Sequence, residues 1–335
     1  MPYEKHVYRI LIIGLLAVFA GVPAAAQEVD DVIRTETSLV QLNIGVVDKQ
    51  GRAVTSLTRN DFVIYEDGVK QSIQLFEPVD SPFSLVLLLD MSGSTINFRQ
   101  QLKLASQRFL DALGPEDRVS VIQFDAEVKS LTGFTTDREK AAYAIQIAEG
   151  KNETHFYKAL KYALKELEKE GKRRKAIVVL TDGLDTQLRN SDRATLTKAQ
   201  TDEEALATIK PNESVDLKSV LASADRQGVT IYPLALPSGD PKRLPMPTPN
   251  IIGIYAAART RLQSLADRTG GRLNEINQLQ YMAQLYREVA ANLRTLYTVG
   301  YQAKSESPRG KWHEIKVEVA HSDLTARTKP GYYAR

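Results

Sequence analysis

The chain contains no cysteine among its 335 residues. This absence excludes disulfide bonds, thiolate metal ligands, a cysteine nucleophile and lipid attachment through a cysteine side chain. Hydrophobic residues make up 43% of the sequence and charged residues 25%, a balance typical of folded proteins. We therefore expect a chain that is stabilised by an ordinary hydrophobic core and is long enough for two domains.

The sequence also has no excess of either charge. Its formal net charge is +3, and acidic and basic residues are interspersed along the chain. A nucleic-acid-binding surface needs a concentration of lysine and arginine, which this pattern does not supply. We expect no nucleic-acid partner.

Long hydrophobic runs are absent except near the beginning of the chain. Lys5 and Arg9 precede an apolar run over residues 10–20, and small residues follow at positions 24–26. This order is typical of a secretory signal peptide, predicted over residues 1–26, with an uncleaved anchor as the alternative. We expect export to the periplasm, the cell surface or the medium, with no integral membrane span after cleavage.

The most informative pattern is an apolar run that ends in three oxygen-bearing side chains. Residues 84–89 show no alternation of polar and apolar positions, which indicates a strand buried on both faces of a parallel sheet. Asp90, Ser92 and Ser94 follow at the carboxyl end of this strand, where open α/β sheets bind their ligands. Their carboxylate and hydroxyl oxygens are hard donors that suit Mg²⁺ or a similar divalent cation.

Two further segments bring oxygen donors to the same edge. A second apolar run over residues 177–180 leads to Asp182 and a glycine-containing turn. Apolar residues from position 156 onward recur at steps of three and four, which predicts a helix with Thr154 at its N-cap or in its first turn. Two carboxylates and three hydroxyls are thus expected to converge.

These residues resemble the metal-ion-dependent adhesion site of von Willebrand factor A domains. The resemblance covers residues 80–295, and the order and spacing of its motifs match Asp90-x-Ser92-x-Ser94, Thr154 and Thr181-Asp182-Gly183. It implies that Ser92, Ser94 and Thr154 ligate the metal, Mg²⁺ or alternatively Mn²⁺ or Ca²⁺, with Asp90 and Asp182 bound directly or through water. It also implies that a carboxylate of a protein or acidic glycan partner completes the metal's coordination.

Both ends of the sequence predict β-structure. Alternating residues over 40–46, a hairpin over 62–76 and three candidate strands over 297–328 are each too small a set to be stable alone. We expect them to pair into one β-sandwich. The predicted fold class is therefore α/β, with a Rossmann-like, mostly parallel sheet flanked by helices and inserted in this β-sandwich. The predicted boundaries are 35–80 for the N-terminal β-segment, 81–295 for the von Willebrand factor A domain and 296–335 for the C-terminal β-segment.

A closer resemblance covers nearly the whole chain after the signal peptide. The segment DKQGRAVTSLTRNDFVIYEDGVKQSIQLFE before the central domain and RTKPGYYAR at the end resemble the exported VWFA-related proteins of Acidobacteria and related soil bacteria. No reaction is generally attributed to that family. The resemblance implies an architecture and a location rather than an activity.

Binding is the favoured function, and two other classes remain to be weighed against it. A serine hydrolase would need a base beside Ser92, but Ser92 lacks the G-x-S-x-G turn. A phosphatase of the haloacid dehalogenase type would need an acid/base carboxylate at position 92, where a serine stands. We expect no enzyme activity. The remaining alternative is a structural subunit of a cell-envelope assembly with a structural or dispensable metal.

Four further features can be explained either by a purely structural role or by a functional one. Asp125 and Asp185 are possible auxiliary ligands, although an aspartate after a strand more often caps a turn. The polar segment 186–214 is expected to be a solvated loop with a helix near 201–209, or else a cover for the site or an extension of its recognition surface. The segment 237–249, with five prolines, is expected to be a semi-rigid extended loop, or else a segment that a proline-binding partner recognises.

Overall fold

An eight-residue strand buried at every position forms the middle of the molecule, as its apolar sequence predicts. In this computed structural model, residues 39–334 are described, apart from residues 238–246, 277, 279–280, 304–307 and 309. The predicted signal peptide and most of the proline-rich segment lie outside the described residues. No helix among the described residues has the length and apolar character needed to cross a membrane.

The strands, in chain order, are β1 (Leu39–Val47), β2 (Phe62–Glu66), β3 (Val69–Gln71), β4 (Ile73–Glu77), β5 (Phe83–Asp90), β6 (Arg118–Phe124), β7 (Val128–Thr135), β8 (Arg174–Thr181), β9 (Val229–Ala235), β10 (Asn274–Glu275), β11 (Leu296–Gln302), β12 (Trp312–Val319), β13 (Thr325–Arg327) and β14 (Gly331–Tyr333). The helices are α1 (Arg99–Asp111), α2 (Arg138–Ile147), α3 (Phe156–Glu168), α4 (Thr186–Thr195), α5 (Asp202–Thr208), α6 (Val215–Gln227), α7 (Pro249–Thr269) and α8 (Met282–Leu293).

The central sheet has the strand order β10-β9-β8-β5-β6-β7. All neighbouring pairs are parallel except β6 and β7, which are antiparallel. Odd-numbered residues of β5, such as Leu85 and Leu87, belong to the core under α1, α2 and α8, while Val86 and Leu88 belong to the core under α3, α6 and α7. Burial on both faces explains why the strand is apolar throughout.

The two ends of the chain pair with each other in two antiparallel sheets. Their strand orders are β13-β1-β11-β4 and β14-β12-β2-β3. Side chains of both sheets, including Leu42, Ile64 and Tyr301, share one hydrophobic core. The β2–β3 hairpin turns through Asp67 and Gly68, whose φ angles of 49° and 79° belong to the left-handed region that Asp-Gly turns favour. The predicted fold class is confirmed.

The described residues from Leu39 to Ala334 belong to one compact unit, so the terminal sheets and the central sheet contact each other. Asn43 of β1 lies at this contact. Its side-chain amide donates to the Gly228 carbonyl at 3.3 Å and to the Thr230 hydroxyl at 2.7 Å, at the beginning of β9. The terminal sheets therefore pack against the amino edge of the central sheet, where β9 begins.

Two predictions about the helices need correction. The segment 186–214 contains α4 as well as the predicted α5, and with α7 these helices enclose a small apolar core that includes Leu196, Ala205 and Ile254. The helix expected from Thr154 begins at Phe156, with His155 at its N-cap, so Thr154 lies one residue outside the capping position.

Candidate metal centre

Asp90 and Asp182 lie at the carboxyl edge of the central sheet because they end neighbouring parallel strands. Asp90 is the last residue of β5, and Asp182 directly follows β8, whose Leu180 pairs with Leu89. Gly183 then turns the chain with a φ of 83°, and a Cβ there would lie 2.7 Å from Leu262 Cδ1. Glycine is thus required at position 183 both for the turn and because α7 packs closely against this residue.

The carboxylate of Asp90 is fully buried and held by three donors. Its Oδ1 accepts the Ser92 N–H at 3.0 Å and the Ser92 hydroxyl at 2.6 Å. Its Oδ2 accepts the Thr181 hydroxyl at 2.7 Å. The Ser92 and Ser94 hydroxyl oxygens lie 3.1 Å apart. Asp90 therefore fixes the turn that presents both serine hydroxyls.

Asp182 is the less satisfied of the two acids. Its Oδ1 accepts the Leu184 N–H at 3.0 Å, whereas its buried Oδ2 has no hydrogen-bond partner among the described residues. Burial raises the pKa of Asp182, and the nearby Ser94 hydroxyl lowers it by a smaller amount. An orphaned buried carboxylate oxygen is costly, so this atom is placed as a ligand of a cation would be.

The electrostatics of the pair also indicate a cation. Burial, followed by the nearby Asp182 charge, raises the pKa of Asp90 to about 7, and burial raises the pKa of Asp182. Two adjacent carboxylates in a site of low dielectric repel each other when both are ionised. A divalent cation between them would compensate both charges.

Thr154 reaches this edge on a separate loop. The Gly93 N–H donates to the Asn152 carbonyl at 3.0 Å. This hydrogen bond joins the loop of Thr154 to residues 91–94, the turn that carries Ser92 and Ser94 and is called the serine turn below. The Thr154 N–H donates to the Thr186 hydroxyl at 3.0 Å, and the Thr186 N–H donates back to the Thr154 carbonyl at 2.9 Å. Thr154 is therefore positioned by its backbone and by the beginning of α4.

Asp125 and Asp185 both act on the backbone. Asp125 Oδ1 accepts the Glu127 N–H at 2.9 Å, and its Oδ2 accepts the Asn152 side-chain amide at 3.2 Å. Asp185 is the N-cap of α4, and its Oδ1 accepts the Gln187 N–H at 3.0 Å. Both aspartates organise the loops that carry Thr154 and Asp182. This is the turn-capping role that the sequence analysis gave as the alternative to metal binding.

Sequence reasoning named Thr181 as part of the motif but not its contact with Asp90, and it missed two further residues that support the site. The Thr181 hydroxyl donates to Asp90 at 2.7 Å. The Thr95 hydroxyl donates to the carbonyls of Asp90 and Ser92 at 2.8 and 3.0 Å. The Arg99 guanidinium donates to the Met91 carbonyl at 2.7 Å, a contact that no local pattern indicates.

The donor set at this edge fits a hard cation. Across the described residues, no group of three or more histidine, aspartate or glutamate side chains could hold a metal. A site here would instead combine the two carboxylates with the hydroxyls of Ser92, Ser94 and Thr154. Oxygen donors without nitrogen or sulfur suit Mg²⁺, Mn²⁺ or Ca²⁺.

Comparison with known proteins gives one family match. Residues 85–184 match the family described as von Willebrand factor type A domain. A comparison with curated proteins finds no match.

Solved structures of low sequence identity resemble the chain. The vWF domain of the type V pili tip protein Mfa5 from Porphyromonas gingivalis is 14% identical, with a TM-score of 0.47 over 64% of this chain and 95% of that one. A von Willebrand factor type A protein from Catenulispora acidiphila is 12% identical, with a TM-score of 0.46 over 90% of this chain and 74% of that one. The mussel byssus protein PTMP1 with a zinc-occupied MIDAS motif is 14% identical, with a TM-score of 0.44 over 68% and 49%.

The sequence match covers four strands of the central sheet. The matched segment runs from the central strand β5 through β6, β7 and β8 to the turn after Asp182, so it includes every residue of the candidate site. Residues 85–184 are therefore similar in sequence to a von Willebrand factor type A domain.

Proposed function

We propose that this protein is an exported binding module that captures an acidic group of a partner through a divalent cation. The ligands are Asp90, Ser92, Ser94, Thr154 and Asp182. The observation that carries the proposal is the buried Oδ2 of Asp182, which has no hydrogen-bond partner within the described part of the chain, beside the buried carboxylate of Asp90. Such a pair is unfavourable in the folded protein unless a cation lies against it.

The ligand types favour an incoming anion. The cation supplies a positive charge and an open coordination position, which a carboxylate of a protein or acidic glycan can fill. Because three of its ligands are neutral hydroxyls, they compensate less of that charge than a site built only of carboxylates would. Ser92 is bonded to Asp90 and Ser94 rather than to a histidine, which supports binding rather than serine catalysis.

A groove beside the site supports recognition of a protein partner. Its volume is about 820 Å³, and it lies between the serine turn, β7 and the end of α2. Ile96 and Ile147 line it and remain 54% and 45% exposed, although both are large apolar residues. Exposed apolar side chains next to a polar anchor point are typical of interaction surfaces. Specificity would come from this groove and affinity from the metal.

Isothermal titration with Mg²⁺, Mn²⁺ and Ca²⁺ tests the proposal. We expect saturable binding near one equivalent in the native protein and its loss in Asp90→Ala and Asp182→Asn. Ser130→Ala, which removes a hydroxyl of β7 outside the ligand set, should bind as the native protein does. Metal binding that persists in both aspartate variants would overturn the assignment of the ligands.

The alternative is a structural subunit of a cell-envelope assembly. A pull-down with and without EDTA separates the two functions, because chelation should release a partner held through the metal. A partner that stays bound in EDTA would favour the assembly function. Export through residues 1–26 and the boundaries at 80/81 and 295/296 belong to the same proposal, and N-terminal sequencing of the secreted form and limited proteolysis test them.

A further inference from the structure

A second cavity is lined by none of the metal ligands. Its volume is about 370 Å³, and it is enclosed by α6, α7, the end of β14 and Asn212 in the connection before α6. Leu217 and Leu221 of α6 supply apolar wall, Asp267 of α7 supplies a carboxylate, and the Ser264 hydroxyl donates to the Asn212 side chain at 2.6 Å. Tyr333 of β14 forms one side. A volume of this size is at the low end of the range found for small-molecule sites.

The aromatic side of the cavity is held rigidly. Tyr333 is 53% exposed, yet its ring is fixed by a T-shaped contact with Trp312, with ring centroids 5.0 Å apart. The Arg268 guanidinium lies 4.5 Å from the Trp312 ring and 5.0 Å from the Tyr333 ring. An exposed aromatic ring held by such contacts loses little conformational entropy when a ligand packs on it.

The charges around the cavity are largely balanced. Asp225 accepts Lys329 at 3.0 Å and lies 3.5 Å from Arg268, so its charge is compensated within the fold. Lys218 and Asp267 remain at the rim with opposite charges, and Asp267 accepts the Gln263 amide at 2.7 Å. An anionic ligand would meet Asp267, and a cationic one would meet Lys218 and Arg268. The lining therefore favours a neutral ligand that both donates and accepts hydrogen bonds.

We propose that this cavity binds a neutral pyranose sugar. One face of a pyranose ring presents C–H groups that pack on an aromatic ring such as Tyr333, and its hydroxyls donate to Asp267 and accept from Lys218. The apolar wall of α6 would cover the remaining ring edge. The cavity has room for one sugar ring or two. This site is separate from the metal ligands, so sugar binding does not depend on the divalent cation.

The single tryptophan of the chain gives a local probe, because Trp312 contacts Tyr333. The purified protein would be titrated in EDTA with methyl β-D-glucopyranoside, methyl β-D-galactopyranoside and maltose, and Trp312 fluorescence followed. We expect a saturable change with at least one sugar at about millimolar concentration, and a weaker response to glucuronate. No saturable change with any neutral sugar, or an equal response to glucuronate, would overturn the proposal.

Variants locate the binding. Calorimetry would be used for Tyr333→Ala and Asp267→Ala, since the first also alters the surroundings of Trp312. Each should weaken sugar binding about tenfold or more. Tyr281→Ala removes a tyrosine that is 49% exposed and does not line the cavity, so it should bind as the native protein does. Equal binding by all three variants would place the sugar elsewhere. Asp182→Asn should keep the sugar affinity, which separates this site from the metal site.

Discussion

At the scale of single residues, the candidate site places two buried carboxylates close together, and a cation would relieve their repulsion. Asp90 is satisfied by three donors, but it is fully buried beside a second acid whose Oδ2 has no partner among the described residues. The donors from Ser92 and Thr181 favour the ionised form of Asp90, whereas burial and the Asp182 charge oppose it and dominate. Binding a cation and protonating an acid are therefore competing ways to relieve the same repulsion.

This competition predicts a stability that falls with pH when metal is withheld. The pKa of Asp90 rises from 3.8 to about 7 on folding, so the folded state binds more protons than the unfolded state between these values. Stability in EDTA should then decrease as pH rises from about 4 to 7, by a few kcal/mol at most. Saturating Mg²⁺ at pH 8 should restore it, because the metal binds only the folded state. Urea titrations across this pH range, with and without Mg²⁺, measure both effects.

Asp182→Asn tests the cause, because it removes the neighbouring charge with little change in shape. It should make the fall in stability between pH 4 and 7 shallower, since burial of Asp90 remains, and it should abolish the Mg²⁺ response. Asp323→Asn, at an exposed aspartate of the terminal β-region, should behave as the native protein does. A native protein whose stability rises with pH in EDTA would contradict the electrostatic account.

At the scale of elements, β8 connects the candidate metal site at its carboxyl end with a buried arginine at its amino end. Its last residue, Thr181, binds Asp90, and its first residue, Arg174, is completely buried. The Arg174 guanidinium donates to the carbonyls of Val79 at 3.0 Å and Ser81 at 2.8 Å, in the connection that enters the central sheet. It also donates to the Leu293 carbonyl at 3.1 Å and to that of Leu296, where the chain leaves. One side chain thus ties together both crossings between the terminal and central sheets.

Arg174→Met should therefore destabilise the protein without changing the metal site. Methionine keeps much of the volume but donates no hydrogen bond, so several buried carbonyls lose their partner, at a cost of about 3 kcal/mol or more. Thermal unfolding should show the loss, and Mg²⁺ titration of the folded variant should give the native affinity. Lys172→Ala, at an exposed position two residues earlier, is the matched control. A fully stable Arg174→Met variant would show that the carbonyls find other donors.

The elements that the sequence predicted are those whose burial leaves either a continuous apolar run or a regular apolar stripe. β5 and β8 are apolar because both faces are covered, and α3 has a clear apolar stripe. α4 was missed because only Thr186 and Asp192 are buried in it, and a buried pair between Asp192 and Arg261, 2.6 Å apart, anchors it instead. That partner is 69 residues away in the chain, so no local pattern could indicate it.

Proline misled the interpretation of one helix. The five prolines over 237–249 favoured a loop, yet Pro249 is the first residue of α7, where its missing N–H costs nothing.

β7 was missed for a different reason. Its one buried residue is the polar Thr132, and Gly133 beside it is exposed, so no alternation of apolar and polar residues marks it. For the site, the sequence supplied the oxygen donors, while the supporting contacts of Thr95 and Arg99 depend on the three-dimensional turn.

At the scale of the whole molecule, the two ends of the chain form one structure around β1. This strand pairs with β11 on one side and β13 on the other, so the N-terminal segment has no complete sheet without the C-terminal one. The sequence predicted this pairing only because each half is too small alone. Asn43 of β1 extends the link. It accepts the Thr298 hydroxyl at 2.7 Å and donates to Thr230 of the central sheet at the same distance.

Asn43→Ala should therefore loosen the terminal sheets from the central one. The hydroxyls of Thr230 and Thr298 would each lose their Asn43 partner, which we expect to cost about 1–3 kcal/mol. Trp312 lies in β12 and reports on the terminal sheets, whereas far-UV circular dichroism reports mainly on the helices around the central sheet. In the native protein the two signals should change at the same urea concentration, as expected for one cooperative unit.

In Asn43→Ala the Trp312 transition should move to lower urea, ahead of the helical signal. Asn292→Ala, at an exposed asparagine of α8, should leave the two transitions coincident, because it removes no contact between the sheets. If the transitions of Asn43→Ala also coincide, and only their common midpoint falls, other contacts at the junction couple the sheets strongly enough without Asn43. The ion pair between Lys329 and Asp225, at 3.0 Å, would then be the next contact to remove, since it too joins a terminal segment to α6.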